Sequence, residues 1–285
     1  MKIKTYLPIF ILFLLVVSMV SCAQKQSARE TITLTKDWKF ILADNEAFKN
    51  TEFDESGWRL LNVPHDWSIE GEFSADNPAS PGGGALPGGT GWYRKKFQVP
   101  ETDKDKLIFI DFDGVYQKSE VWINGHYLGM RPYGYISFRY DLTPHLNFGG
   151  ENVLAVKVDN SVQPNSRWYS GSGIFRNVWL VKTGKVHVGQ WGTFITTPEV
   201  TAENAQLVIK TRIENQLGKE NNLSLRTIIF NPSGKKLTKA EINVNPWKNS
   251  SEEFTNEIKI EKPVLWSVEN TQLYEAVTEV YFDGK

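Results

Sequence analysis

The chain has a single cysteine, Cys22, in 285 residues. No internal disulfide is possible, so the fold must be held by its apolar core. Neither charge is in excess: 32 Lys and Arg stand against 33 Asp and Glu, a formal balance of −1. No broad field would draw the chain to a polyanion, which argues against nucleic acid as a partner. Helical periodicity is missing after residue 25. The four histidines, His65, His126, His145 and His187, are widely spaced with no i, i+4 pair, so no metal ion is expected. Nor is a cofactor. "GSGIFR" from Gly171 supplies two glycines of a dinucleotide fingerprint, but Arg176 stands at the third, and "NVWLV" reads as a strand where a helix N-terminus would receive phosphate. "GGALPGGT" from Gly83 has Gly89 where a phosphate loop needs lysine. There is no G-x-S-x-G, and the many carboxylates read as solvated surface.

What is present begins with Lys2 and Lys4 ahead of an apolar run from Tyr6 to Val20. This has the build of a secretory signal over residues 1–21. The alternative is a membrane helix that stays in place, since the run comes close to spanning a bilayer. Ser21 before Cys22 favours cleavage, because "MVSC" resembles a relaxed bacterial lipobox. Cys22 is then the lipidation site, residues 22–30 a polar tether, and the membrane a partner through the anchor. The expected location is the periplasm or outer membrane, as an exported lipoprotein.

From residue 31 the chain reads as short strands rich in Val, Ile, Phe, Tyr and Trp, with ten tryptophans and 13% aromatics. Residues 71–91 hold so much Gly and Pro that an irregular loop is expected. Asn124-Gly125 between "VWI" and "HYL" predicts a type I′ hairpin. Around residue 185 aromatics thin out and Lys, Asn and Glu increase, while strands and turns continue. The fold class is all-β: a jelly-roll sandwich over 31–185, then an immunoglobulin-like sandwich over 186–285. "YEAVTEVYFDGK" looks like a strand entering a turn without its return strand, so the second sandwich is expected to be incomplete.

Three segments are specific in combination: "VPHDW" at 63–67, "FDGVYQKSEVWINGHYLG" at 112–129 and "RWYSGSGIFRNVW" at 167–179. In this order they resemble the N-terminal sugar-binding, galactose-binding-like domain of glycoside hydrolase family 2, over about residues 31 to 183. Residues 187–285 resemble the immunoglobulin-like domain that follows in that family, and the motifs are most similar to its β-galactosidase-like branch. The resemblance implies a carbohydrate partner, a β-galactoside or related β-glycoside, and a retaining pair of glutamates on a (β/α)₈ barrel beyond residue 285. The family's Gly-Asn-Glu context is absent; Asn45-Glu46 and Asn256-Glu257 lie in unrelated surroundings, so no catalytic residue is expected in this chain. The loop before "GIFR" would help enclose the sugar, with Arg167 where several members place an aspartate, Trp168 or Tyr169 as a stacking face, and Asp66 of "VPHDW" as a further contact. As plain structure, most of these aromatics would be core, Gly171 and Gly173 would permit a tight turn, and Arg176 would pair with a buried carboxylate. Rival functions are a free-standing carbohydrate-binding lipoprotein and a purely structural surface sandwich.

Overall fold

The computed structural model describes residues 29–218 and 222–282. The signal segment, Cys22 and most of the tether lie outside the described residues. The described chain is all-β, with short 3-10 turns and no α-helix. Its first ten strands are β1 (Glu30–Thr33), β2 (Trp38–Leu42), β3 (Arg59–Leu61), β4 (Gly89–Gln98), β5 (Leu107–Phe112), β6 (Ser119–Ile123), β7 (His126–Arg131), β8 (Phe138–Asp141), β9 (Glu151–Asn160) and β10 (Val178–Thr183). They form a four-stranded sheet, β1-β10-β5-β8, and a six-stranded sheet, β3-β2-β4-β9-β6-β7.

Period-two alternation explains how the sheets pack. On β4, Tyr93 turns into the core with Trp38, Ile110, Phe112, Ile123, Leu154 and Val156. Its neighbour Trp92 turns the other way, into a second cluster with Phe48, Trp58 and Trp122. The large sheet is therefore buried on both faces, its outer face being covered by the segment that runs from β2 to β3. A fully buried Leu, Ile or Phe contributes roughly 1.5–3 kcal/mol, which allows such a core to stand without disulfides.

Asn124 and Gly125 have φ of 48° and 79° and join β6 to β7 as the expected tight turn. The Gly/Pro-rich loop is shorter than expected, because residues 89–91 already pair with β9.

Six further strands follow: β11 (Val186–Val200), β12 (Asn204–Asn215), β13 (Leu223–Phe230), β14 (Lys236–Val244), β15 (Ser250–Glu261) and β16 (Glu275–Phe282). They make two three-stranded sheets, β11-β12-β15 and β14-β13-β16. Alternating Ala205, Leu207 and Ile209 of β12 meet Ile229 and Ile258 in the space between them. At the entry to this second sandwich the ring of buried His187 lies 5.9 Å from that of Phe109 on β5.

Candidate functional site

Three loops meet at one end of the first sandwich: 113–118 after β5, 132–137 after β7 and 161–177 after β9. Residues 63–70, which follow β3, run beneath the longest of them. His65 N–H donates to Ile174 O at 2.8 Å and Trp67 N–H to Ser172 O at 3.1 Å, so the "VPHDW" and "GSGIF" segments are laced together through their backbones. From the other side Tyr116 and Gly173 exchange both backbone hydrogen bonds at 2.9 Å.

Asp66 secures this junction. Its Oδ1 accepts from Ser68 N–H at 3.0 Å and Ser172 N–H at 2.8 Å, and its Oδ2 accepts from the Tyr169 hydroxyl. A β-carbon at Gly171 would lie 2.6 Å from Oδ2, so only glycine lets the carboxylate approach. Gly173 has φ of 122°, and a β-carbon there would meet Tyr93 Oη at 2.3 Å and His65 O at 2.7 Å. Beside them, Ser172 Oγ accepts from Asn160 Nδ2 at 2.7 Å, while Asn160 Oδ1 receives Gln163 Nε2 at 2.7 Å and Asn165 Nδ2 at 2.8 Å. The base of the loop is thus fully engaged in hydrogen bonds.

Behind Asp66 lies a group that sequence reasoning missed. Arg59 Nη2 approaches His65 Nε2 at 2.7 Å, and His65 Nδ1 approaches Tyr93 Oη at 2.7 Å. Glu70 Oε2 also lies 3.3 Å from Nε2 and 2.7 Å from Arg59 Nη2, so guanidinium, imidazole, carboxylate and phenol form one cluster. Burial holds the imidazole below its ordinary pKa; Glu70 opposes this, and the Arg59 charge adds to it. Burial likewise pushes Tyr93 well above the ordinary phenol range, and pushes Tyr169 up together with its bond to Asp66. Arg59 and His65 are only six residues apart but form no motif, and Tyr93 joins them from 28 positions away, so the sequence does not announce the group.

Above this base the loop opens to solvent. Trp168 is 62% exposed, which removes it from the core where a purely structural role would place it. Arg167 is exposed too, and neither side chain makes a side-chain hydrogen bond among the described residues. Tyr169 is exposed as well, and Phe175 and Trp179 are only partly buried, so the aromatics of this stretch are not core as plain structure would have them; it is Ile174 that is buried. Arg176 differs from its expectation: it is exposed and forms no ion pair among the described residues, its stem lying against Gly114 beside Phe175. The structure therefore joins Asp66 to the base of the loop and leaves Arg167 and Trp168 at its tip, one an obligate donor and the other an apolar plate. Among the described residues no three His, Cys, Asp or Glu side chains converge as a metal site.

The family model "Glycosyl hydrolases family 2, sugar binding domain" matches residues 33–184, and "Glycosyl hydrolases family 2" matches residues 186–285. The chain is 47% identical over 254 residues to a Bacteroides ovatus protein named Beta-galactosidase BoGH2A, covering 89% of this chain and 30% of that protein. It is 39% identical to a putative beta-glucuronidase of Formosa agariphila, over 91% of this chain and 24% of the relative. A crystal structure of a glycosyl hydrolase family 2 member from Bacteroides cellulosilyticus superposes with a TM-score of 0.86 at 35% identity, over 90% of this chain and 34% of the other. The chain thus spans about a quarter to a third of the length of these relatives.

Proposed function

The chain belongs to glycosyl hydrolase family 2, and from that premise we propose that it is the non-catalytic N-terminal part of an exported, retaining β-galactosidase. In this role the first sandwich lines the sugar pocket and the second carries the polypeptide on to a catalytic barrel that supplies two glutamates. The observation that supports it best is the 161–177 loop, with a base held by Asp66 and a tip that presents Trp168 and Arg167 to solvent. Trp168 stacks on the C–H face of the sugar, and Arg167 donates to its hydroxyls or ring oxygen. Asp66 serves the pocket by holding the loop, since both its oxygens are already engaged. Relatives at 47% and 39% identity carry different substrate names, so a paired assay decides between them. Joined to the remainder of the polypeptide, the chain should release the aryl group from an aryl β-galactoside at least tenfold faster than from the β-glucuronide. The opposite order would reject the galactosidase assignment.

Export and anchoring rest on Cys22, and are tested separately. Several acyl chains on one residue anchor stably, each buried methylene contributing roughly 0.8 kcal/mol. Cys22→Ser should shift the protein out of the detergent phase, or leave its signal uncleaved. Fatty-acid labelling that persists in the variant would rule out lipidation at this residue.

A further inference from the structure

Next to the Asp66-held loop lies a second surface to which the proposed function gives no role. Tyr133 is 57% exposed and Tyr135 46% exposed, although both belong to a short loop fixed from below. A β-carbon at Gly134 would lie 2.2 Å from the Tyr116 ring, so the loop backbone rests directly on that buried side chain. Tyr116 in turn donates its hydroxyl to Asn165 Oδ1 at 3.1 Å, which couples the two loops.

The rings continue as a strip. Tyr133 and Tyr135 pack edge to face at 5.6 Å, and Tyr135 and Phe175 at 6.2 Å. Phe175 and Arg176 then straddle Gly114, whose β-carbon would fall 2.7 Å from Phe175 Cζ and 2.9 Å from Arg176 Cδ. Aromatic faces, phenol hydroxyls and one guanidinium therefore share a continuous surface.

The charge on this surface is of one sign. Residues 114–118, 132–137 and 160–177 contain no Asp or Glu, while they contain Lys118, Arg167 and Arg176. Lys118 faces Asp159 and is partly offset by it. Asp113, at the foot of the first loop, accepts from Trp179 Nε1 at 2.8 Å, and Asp66 is engaged as described. Arg167 and Arg176 keep no carboxylate partner among the described residues. The chain as a whole is at −1, so this is a local feature and not a reflection of overall charge.

We propose that Tyr133, Tyr135, Phe175 and Arg176 form an accessory subsite for an anionic sugar residue, a pyranose bearing a carboxylate or a sulfate ester. The aromatic strip takes the apolar face of the ring, and the Arg176 fork takes the anionic group through paired hydrogen bonds. Arg167, at the tip of the adjoining loop, faces the next residue of the same glycan. This rests on the sugar-lining role proposed above and adds to it a substrate class: the terminal galactoside belongs to an acidic polysaccharide.

Binding by the full chain in detergent, without turnover, tests the subsite. Affinity electrophoresis or calorimetry with polygalacturonate, a sulfated galactan and a neutral galactan should show retardation or heat with at least one anionic polymer and none with the neutral one. Which anionic polymer binds distinguishes carboxylate from sulfate. Arg176→Ala should weaken that binding about fivefold or more, the measure of one exposed but well-oriented ion pair. Tyr135→Ala should weaken it similarly at high salt, where charge is screened and stacking is not. Lys236→Ala, an exposed cation on β14 of the second sandwich, should change nothing. Equal binding of the neutral galactan, an unaffected Arg176→Ala, or equal losses from Arg176→Ala and Lys236→Ala would overturn the proposal. Acidic-glycan binding by a protein whose longer form hydrolyses no galactoside would reject the galactosidase assignment and leave the subsite standing.

Discussion

Assayed alone against an aryl β-galactoside, the 285-residue chain is expected to show no hydrolysis above the uncatalysed rate, while the same chain extended through a catalytic barrel should turn over. Retaining hydrolysis requires two carboxyl groups roughly 5 Å apart, one of them protonated at working pH. The two acids beneath the 161–177 loop suit neither part. Asp66 spends its oxygens on Ser68, Ser172 and Tyr169. Glu70, although burial works against it, is held below the ordinary carboxylate range by Arg59 and His65, so it stays ionised when a general acid must carry a proton. In the extended enzyme Trp168→Ala should lower kcat/KM by about ten- to a hundredfold, the loss of a stacking contact of about 1.4–2.8 kcal/mol. Stability in urea should stay nearly constant, because Trp168 is exposed and packs into neither core cluster. Turnover by the 285-residue chain would relocate the chemistry to these sandwiches. A variant that loses several kcal/mol of stability with kcat/KM intact would make Trp168 structural.

The contrast between Trp168 and Asp66 marks what the sequence could reveal. Local features were legible: the Asn124-Gly125 turn requires positive φ at both residues, and the two-residue alternation of β12 and β13 shows which side chains enter the second sandwich. The "RWYSGSGIFR" loop could be located by its composition, and the glycine requirement at 171 and 173 was anticipated as a tight turn. Its cause was not, because the atoms that forbid a β-carbon there belong to Asp66, His65 and Tyr93, about 80 to 108 positions away. For the same reason the sequence offers Asp66 only as a ligand contact and does not show that its carboxylate braces the loop. Arg176 departs in the opposite direction: the sequence reading pairs it with a buried carboxylate, and the geometry leaves it in solvent.

The same non-local logic governs Arg94, which no local pattern singles out and which is completely buried. It lies on the outward face of β4, where Tyr93 faces in. Its Nη1 donates to Phe48 O at 2.6 Å and Asn50 O at 2.9 Å, its Nη2 to Thr51 O at 3.2 Å, and its Nε pairs with the largely buried Glu55. One guanidinium thus satisfies the carbonyls of the segment that covers the outer face of the large sheet. Removing it leaves the Glu55 carboxylate with only Lys96 at 3.9 Å and strips Phe48 O and Thr51 O of their partner, while Asn50 O keeps the Phe53 amide. Arg94→Ala should therefore cost about 3–5 kcal/mol in urea unfolding, near the top of what single substitutions do. Hydrogen exchange should quicken first at Phe48, Asn50, Phe53 and Trp58, whose amides close the turns of that segment. The double variant Arg94→Met with Glu55→Leu should recover a good part of the loss, since no buried charge is then left alone. If Arg94→Ala cost less than 1 kcal/mol, or if the double variant were no better than the single, the covering segment would have to be held by Phe48, Trp58 and Trp92 alone, with the arginine incidental to it.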